Sequence, residues 1–351
     1  MKLTNILLKY KDQFLASHGD RLSKEQRYAL DALTGCRSGL FGEVHLHCTS
    51  CRTNTTVMQS CGHRNCNQCH HHDTVKWLER QQQKLLPVDY YLITFTLPSE
   101  LRPIAFRHQS TVYNLLFEAV TSTLKSFFKN DKHWRGHPGF TSVLHTHSRR
   151  LEYHPHIHVV VPAGSWDPKT RQWTSRTGKY LFNHKTLATV FRAIFLKSLD
   201  HCGLKPSINY PKEWVVDVTH AGNGYPALTY LSKYLYRGVI ADKNIVSDNN
   251  GQITFKYQES KTKEHKTRTV TVEDFIWKLL IHVLPKRFRR ARDYGFLHGK
   301  LTTLLFLIKQ TIRAKPRRLE SKPRPSFQCS ICRCPLQIIG FSRRGQSIES
   351  G

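Results

Sequence analysis

Two Cys-x-x-Cys pairs near the start of the chain place the strongest constraint on how this sequence can fold. They are Cys48-x-x-Cys51 and Cys66-x-x-Cys69, and fourteen residues separate them. Four thiolates at this spacing can surround one tetrahedral zinc ion, and small loop-rich segments obtain much of their folding free energy from such an ion. The sequence therefore predicts one structural zinc site built from these four cysteines.

The other cysteines leave alternatives open. Cys61 lies between the two pairs and is either a ligand, exchanging into this site or supporting a second one, or a packed thiol, while the isolated Cys36 is interpreted as a core residue. Cys329, Cys332 and Cys334 supply too few partners for a closed site by themselves.

The N-terminus shows no secretory signal, which predicts a protein of the reducing cytoplasm. Cysteines there more often bind metal than form disulfides.

The charge of the chain indicates a polyanionic partner. Lys and Arg number 54 against 25 Asp and Glu, a formal net charge of +29. Such an excess favours nucleic acid first and an anionic membrane second. The longest apolar stretch, 301–308, is too short to span a bilayer, so no membrane partner is predicted. Candidate DNA-binding residues are Arg64 beside the cysteines and, in a basic arm over 286–324, Arg287, Arg289, Arg290 and Arg292.

Hydrophobic periodicity predicts an α+β protein in three consecutive domains. Helical spacing occurs in 1–35, 73–86, 108–129, 184–201, 227–238 and 300–314. Alternating β-rich runs occur at 89–97, 140–147, 153–161, 214–219, 253–258 and 267–272. We expect a small helical, zinc-ribbon-like DNA-recognition domain at 1–86, a larger domain at 87–299, and a basic tail with a cysteine cluster at 300–351.

A histidine pair in one of these strands suggests a second metal site. In the strand that contains them, His156 and His158 face one side while Ile157 faces the core. If the preceding strand pairs across a short link, His145 lies opposite and becomes a third ligand. Glu152 is the rival, and a Gln or Glu from elsewhere in the chain is another alternative.

Two tyrosines stand one helical turn apart in the segment YLSKYLYRG. Tyr230 and Tyr234 share one helix face, and Lys233 beside them is the third candidate catalytic residue. A phenol is a poor nucleophile at its ordinary pKa of about 10, so it needs a nearby cation to attack an ester. The plain alternative is a pair of half-buried aromatic residues on an amphipathic helix.

These motifs together resemble the rolling-circle insertion-sequence transposases of the His-hydrophobic-His endonuclease superfamily, which carry an N-terminal zinc-binding domain. The resemblance is carried by CTSC…SCGHRNCNQC and by the segments 94–103, 143–166, 230–240 and 282–299. It implies an antiparallel-sheet nuclease domain with flanking helices that cleaves single-stranded DNA through a 5′-phosphotyrosine and transfers strands. It further implies His156 and His158 as ligands of catalytic Mg²⁺ or Mn²⁺, and Tyr230 and Tyr234 as candidate nucleophiles.

Two other classes of protein remain open at this point. A rolling-circle replication initiator would share the histidines and tyrosine, although the cysteine pairs argue against it. A non-catalytic zinc-containing DNA-binding regulator would need neither motif. The chain has no Gly-x4-Gly-Lys-Ser/Thr loop, so we expect neither a nucleotide cofactor nor a fused helicase. A bacterial, cytoplasmic and nucleoid-associated protein is the expectation, and the sequence does not specify its oligomeric state or DNA ends.

Overall fold

A computed structural model describes residues 1–134, 136–204, 209–235, 238–259, 262–315 and 326–343. Its helices are α1 Leu3–His18, α2 Lys24–Thr34, α3 His71–Gln83, α4 Arg102–Arg107, α5 Gln109–Asn130, α6 His184–His201, α7 Tyr225–Leu235, α8 Val272–Leu280 and α9 Thr302–Thr311. Its strands are β1 Glu43–His47, β2 Asn54–Met58, β3 Tyr90–Thr96, β4 Phe140–His147, β5 Tyr153–Pro162, β6 Gly164–Asp167, β7 Gln172–Ser175, β8 Val216–His220, β9 Ile245–Asn249, β10 Gln252–Gln258, β11 His265–Thr271, β12 Ala291–Tyr294 and β13 Gln337–Ser342. Among the described residues, no helix combines the length and apolar character needed to cross a membrane.

The chain divides into two compact units that are not consecutive segments. The first unit, called the terminal unit here, comprises Met1–Asp73, Tyr236–Val283 and Glu320–Gly351. The central unit comprises Thr74–Leu235 and Leu284–Leu319. These boundaries differ from the three consecutive domains expected from the sequence, because the chain leaves the terminal unit and returns to it twice.

Three helices form the core of the terminal unit. Helix α1 buries Ile6, Leu7, Tyr10 and Phe14, which recur at helical spacing, and it packs on α2 and α8. Helix α2 begins at a capping box in which Ser23 and Gln26 exchange side-chain and backbone hydrogen bonds. This start orients the buried face of α2 towards the same core.

Two small antiparallel sheets complete the terminal unit. One has the strand order β13-β1-β2, so a strand from the end of the chain pairs with one from its beginning. The other has the order β11-β10-β9 and is tied to α1, because Asp248 accepts hydrogen bonds of 2.9 Å from both Lys9 Nζ and Tyr10 Oη.

A five-stranded antiparallel sheet forms the centre of the central unit. Its strand order is β12-β4-β5-β3-β8. The strands alternate in the expected way: Tyr91, Ile93 and Phe95 of β3 join Ile157 and neighbouring residues in one large core with α4, α5 and α6. Residues of the opposite parity form the second face of the sheet, where the histidine pair lies.

The predicted class, α+β with an antiparallel sheet and flanking helices, is confirmed. The helices expected at 108–129 and 184–201 are α5 and α6, and the hairpin expected at 140–161 is β4–β5. Helix α7 starts at Tyr225 and ends at Leu235, before the Gly238 stop expected from the sequence; residues 236–237 lie outside the described part of the chain. The chain also contains strands that the sequence did not suggest, among them β1, β2 and β13.

Candidate functional site

The β4–β5 hairpin places three histidines side by side on the second face of the central sheet. His145 pairs directly with His156, and Val143 pairs with His158. The hairpin turns at Leu151, a residue with φ of 62°, whose N–H donates to the Ser148 carbonyl. The period of two along β5 sends Ile157 to the core and both neighbouring histidines to the second face.

The three imidazoles are close enough to share one ion. Each ring offers one nitrogen, and the three nitrogens lie within 4.8 Å of one another. The ring centroids of His145 and His158 are 4.5 Å apart, and those of His156 and His158 are 4.8 Å apart. Glu152, the alternative third ligand, does not belong to this group. We refer to His145, His156 and His158 as the histidine cluster.

Burial keeps the histidine cluster uncharged. The cost of desolvation lowers the pKa of His145 and His156 well below the ordinary value of 6.5, and repulsion from His158 lowers both further. Burial, followed by repulsion from His154, lowers the pKa of His158 to about 4. Neutral imidazoles carry the free lone pair that a metal ion needs, so the donor set fits a divalent cation.

Hydrogen bonds outside the cluster orient two of its rings. His156 Nδ1–H donates to the backbone carbonyl of His154 over 2.6 Å, which leaves the lone pair on Nε2. His158 Nδ1 shares a hydrogen bond of 2.9 Å with Thr94 Oγ1, and Thr94 pairs with His158 across β3 and β5. Outer partners of this kind set ring orientation at metal sites. Thr94 was not foreseen from the sequence; its only signal was its position in a strand beside the histidines.

Helix α7 brings one of the predicted tyrosines to the cluster. The helix packs on β4 and β5 through its buried apolar side, which includes Leu231. The Tyr230 ring stands edge-on to His158 with 5.9 Å between centroids. Lys233 is exposed, three residues later on the same helix. Tyr234 belongs to the α7 backbone, but its side chain lies outside the described part of the structure.

The four cysteines predicted to form one zinc site are divided between two clusters, so that grouping is wrong. Cluster I contains Cys36, Cys61, Cys66 and Cys69, and cluster II contains Cys48, Cys51, Cys329 and Cys332. The two Cys-x-x-Cys pairs separate because the first follows β1 and meets the C-terminal segment, while the second precedes α3 and meets the end of α2. Cys36, interpreted above as a core residue, is buried but belongs to cluster I.

Cluster I has the dimensions of a four-thiolate metal site. The Sγ atom of Cys36 lies 3.6 Å from that of Cys66 and 3.7 Å from that of Cys69, and Cys61 Sγ lies 3.7 Å from Cys69 Sγ. A tetrahedral site with Zn–S bonds of about 2.3 Å places its sulfurs about 3.8 Å apart. Hydrogen bonds from the thiols of Cys61 and Cys66 lower the pKa of Cys69, which favours the thiolate that binds metal.

The predicted DNA-binding arginines have different surroundings. Arg287 and Arg289 are exposed, and Arg64 is half-buried. Arg292 donates to Asn114 Oδ1 over 2.6 Å, and its guanidinium lies 4.0 Å from the centre of the Phe117 ring. Arg290 Nη1 donates to the Leu235 carbonyl at the end of α7 over 3.4 Å. Arg290 and Arg292 therefore hold elements of the central unit together.

Comparison with known proteins identifies the class of protein to which these sites belong. A family model described as "Transposase zinc-binding domain" matches residues 6–97, and one described as "Putative transposase" matches residues 139–303. The chain is 30% identical over 322 residues to "Putative transposase y4qJ" of Sinorhizobium fredii. The aligned region covers 85% of this chain and 81% of that relative. The chain is 25% identical over 289 residues to the "Transposase for insertion sequence element IS801" of Pseudomonas savastanoi pv. phaseolicola, covering 77% and 69%. No solved structure matches the chain.

The class is thus that of the DNA transposases, which cleave DNA and move it. Within that class, the chain belongs to the insertion-sequence transposases of the IS91 type, which carry an N-terminal zinc-binding domain. All four members of cluster I fall inside the residues matched by the zinc-binding model, and the whole histidine cluster falls inside those matched by the transposase model.

Proposed function

We propose that the central unit is a metal-dependent endonuclease and strand transferase that cuts single-stranded DNA with Tyr230, in rolling-circle transposition of its element. The position of Tyr230 supports this proposal most directly, because its ring lies beside His158 at 5.9 Å. The nucleophile and the ion-binding residues would then act on one phosphate. Tyr234 would serve as the acceptor of a second strand.

The histidine cluster would hold a Mg²⁺ or Mn²⁺ ion. Three neutral, buried imidazoles supply the donors, with His145 as the third ligand beside His156 and His158. Such an ion, when bound, polarises the scissile phosphate and offsets the charge that develops on its oxygens. Thr94 and the His154 carbonyl would keep two of the rings in the orientation that binding requires.

The tyrosine performs a transesterification that needs no ATP. The phenol loses its proton to water, and Tyr230 Oη attacks phosphorus as the bond to the 3′-oxygen breaks. The 3′-oxygen leaves and takes a proton, so the products are a 5′-phosphotyrosine and a free 3′-hydroxyl. The phosphoester bond is retained on the protein, and a later 3′-hydroxyl can attack it to join a new strand.

Exposed cations would hold the DNA backbone near this centre. Lys233 lies on the same helix as Tyr230, and Arg287 and Arg289 are exposed in the central unit. In the terminal unit, the half-buried Arg64, which stands between Cys61 and Cys66 in the sequence, would contact DNA separately. Contacts to phosphates release counterions, so we expect DNA binding to weaken steeply with added salt. The substrate is single-stranded DNA at the ends of the element in the bacterial cytoplasm.

A covalent-adduct assay tests the proposal. Full-length protein is incubated with single-stranded oligonucleotides that carry the ends of the element and with Mn²⁺, then separated under denaturing conditions. We expect a protein–DNA adduct that Tyr230→Phe abolishes. Tyr225→Phe is the matched control, because Tyr225 is an exposed residue at the start of the same helix.

Each result of this assay has a clear reading. An adduct that persists in Tyr230→Phe but disappears in Tyr234→Phe would show that Tyr234, and not Tyr230, is the first nucleophile. Nicking without any adduct would exclude a tyrosine nucleophile. The family match already favours a transposase over the replication initiator and the non-catalytic regulator considered from the sequence.

A further inference from the structure

Cluster II joins cysteines from opposite ends of the chain. Cys48 and Cys51 follow β1, whereas Cys329 and Cys332 precede β13. Cys48 Sγ lies 3.4 Å from Cys332 Sγ, and Cys51 Sγ lies 3.5 Å from Cys329 Sγ and 3.7 Å from Cys332 Sγ. These separations are close to the roughly 3.8 Å of a tetrahedral zinc–thiolate site and far from the roughly 2.05 Å of a disulfide.

From this geometry we propose that cluster II binds a second structural zinc ion, which fastens the C-terminal segment 326–343 to the N-terminal β1–β2 hairpin. The zinc-binding family model ends at residue 97, and neither family model reaches Cys329 or Cys332. The site is separate from cluster I, whose four ligands lie within 36–69. The proposal does not depend on the chemistry of the histidine cluster.

The backbone around cluster II has the same turn as the backbone around cluster I. Arg52 follows Cys51 with φ of 55°, and Arg333 follows Cys332 with φ of 58°. In cluster I, His70 follows Cys69 with φ of 64°. The left-handed region costs a non-glycine residue about 1–2 kcal/mol, so its repetition beside ligand cysteines indicates a common constraint.

A polar group two residues further along the chain approaches a cysteine sulfur in each cluster. In cluster II, Thr53 Oγ1 lies 3.3 Å from Cys51 Sγ. In cluster I, the N–H of His63 lies 3.4 Å from Cys61 Sγ in the same i+2 relation. Contacts of this kind orient the ligands of a metal site.

Burial contributes little to holding the C-terminal segment in place. Strand β13 pairs with β1 from Gln337 to Ser342, but Ile338, Ile339 and Phe341 are 53%, 59% and 67% exposed. A single edge strand with its apolar side chains in solvent gains little hydrophobic free energy on docking. A metal ion shared by both segments supplies the missing free energy, as it does in small zinc modules.

The test counts zinc ions in the full-length protein expressed with zinc in the medium. Elemental analysis should find one zinc ion per chain fewer in the double variant Cys329→Ser, Cys332→Ser than in the wild type. Cys334→Ser is the matched control and should keep the wild-type number of zinc ions, because Cys334 lies in the same segment but outside both cysteine clusters. An equal number of zinc ions in the wild type and the double variant would overturn the proposal.

Hydrogen exchange gives a second measurement that does not depend on the zinc count. The backbone amides of β13 should lose protection in the double variant, while those of β4 and β5 in the central unit remain protected. Retained protection of β13 in the double variant would show that pairing with β1 alone holds the segment, which contradicts the fastening role. Loss of protection in β4 and β5 as well would show general unfolding, and it would equally contradict a zinc ion that only fastens the C-terminal segment.

Discussion

Thr94 offers a sharp test of the proposal that the histidine cluster binds a metal ion. The substitution Thr94→Val keeps the shape of the side chain and removes the oxygen that shares a 2.9 Å hydrogen bond with His158 Nδ1. Removing an outer partner of a metal-binding histidine typically weakens metal binding by about 10–100-fold, which corresponds to about 1.4–2.7 kcal/mol. We expect a loss of this size for Mn²⁺, with a loss of folding stability no greater than about 1.5 kcal/mol.

The measurement is calorimetric titration of full-length, zinc-loaded protein with Mn²⁺. Before the titration, a chelator too weak to compete with four thiolates removes any zinc from the imidazoles, so the titration with Mn²⁺ reports the histidine cluster. Thr96→Val is the matched control: Thr96 lies two residues further along the same face and pairs with His156, whose Nδ1 donates to a backbone carbonyl instead. Equal Mn²⁺ affinity in Thr94→Val and wild type, or an equal loss in both variants, would refute the reasoning.

Three further predictions concern stability and DNA binding. Ile157→Ala should cost about 2–5 kcal/mol in urea denaturation, because Ile157 is fully buried between the two cluster residues of β5. Burial alone would raise the pKa of Asp248, but hydrogen bonds, first from Lys9, lower it; Asp248→Asn should therefore cost about 1–3 kcal/mol at neutral pH. Arg292→Ala should destabilise the protein by about 1–3 kcal/mol, whereas Arg289→Ala should reduce the salt slope of DNA binding by about one.

Specific outcomes would contradict these three predictions. For Asp248, the lowered pKa means that stability from the ionised form is present at neutral pH and is lost as the pH falls below about 4, the ordinary range of Asp. A difference in unfolding free energy between the wild type and Asp248→Asn that increases as the pH falls would contradict the prediction. A loss below about 1 kcal/mol for Ile157→Ala would mean that the sheet collapses around the cavity. If Arg289→Ala destabilised the fold as much as Arg292→Ala, the division between surface and packed arginines would fail.

Local patterns were enough to predict that the three histidines lie close together. Alternation in 153–161 separates Ile157 from the two histidines, and a short hairpin link leaves few registers, so the sequence alone could place His145 opposite His156. Thr94 could not be found in this way, because its strand joins β5 through long-range pairing that no local pattern specifies. The order of the five strands in the central sheet could not be predicted for the same reason, because it depends on pairing between segments far apart in the sequence.

The cysteine grouping shows the opposite case. The spacing of Cys48, Cys51, Cys66 and Cys69 fits one site, but ligand choice depends on which segments the tertiary fold brings together. Cys332 lies 284 residues from Cys48, so its participation is invisible to a spacing argument. The sequence also did not reveal the turns that follow these cysteines. A positive φ is usually signalled by glycine, but most of the cluster cysteines that precede a positive φ are followed by arginine or histidine.

The pairing of β13 with β1 has a consequence for protein synthesis. A ribosome adds roughly 5–20 residues per second, so β13 emerges on the order of tens of seconds after β1. Until then the edge of β1 has no partner strand from the C-terminal segment, and the terminal unit is incomplete while the central sheet can already assemble. A copy of the gene shortened by a late stop codon would therefore yield a chain that retains the histidine cluster and α7 but lacks the final strand of its terminal unit.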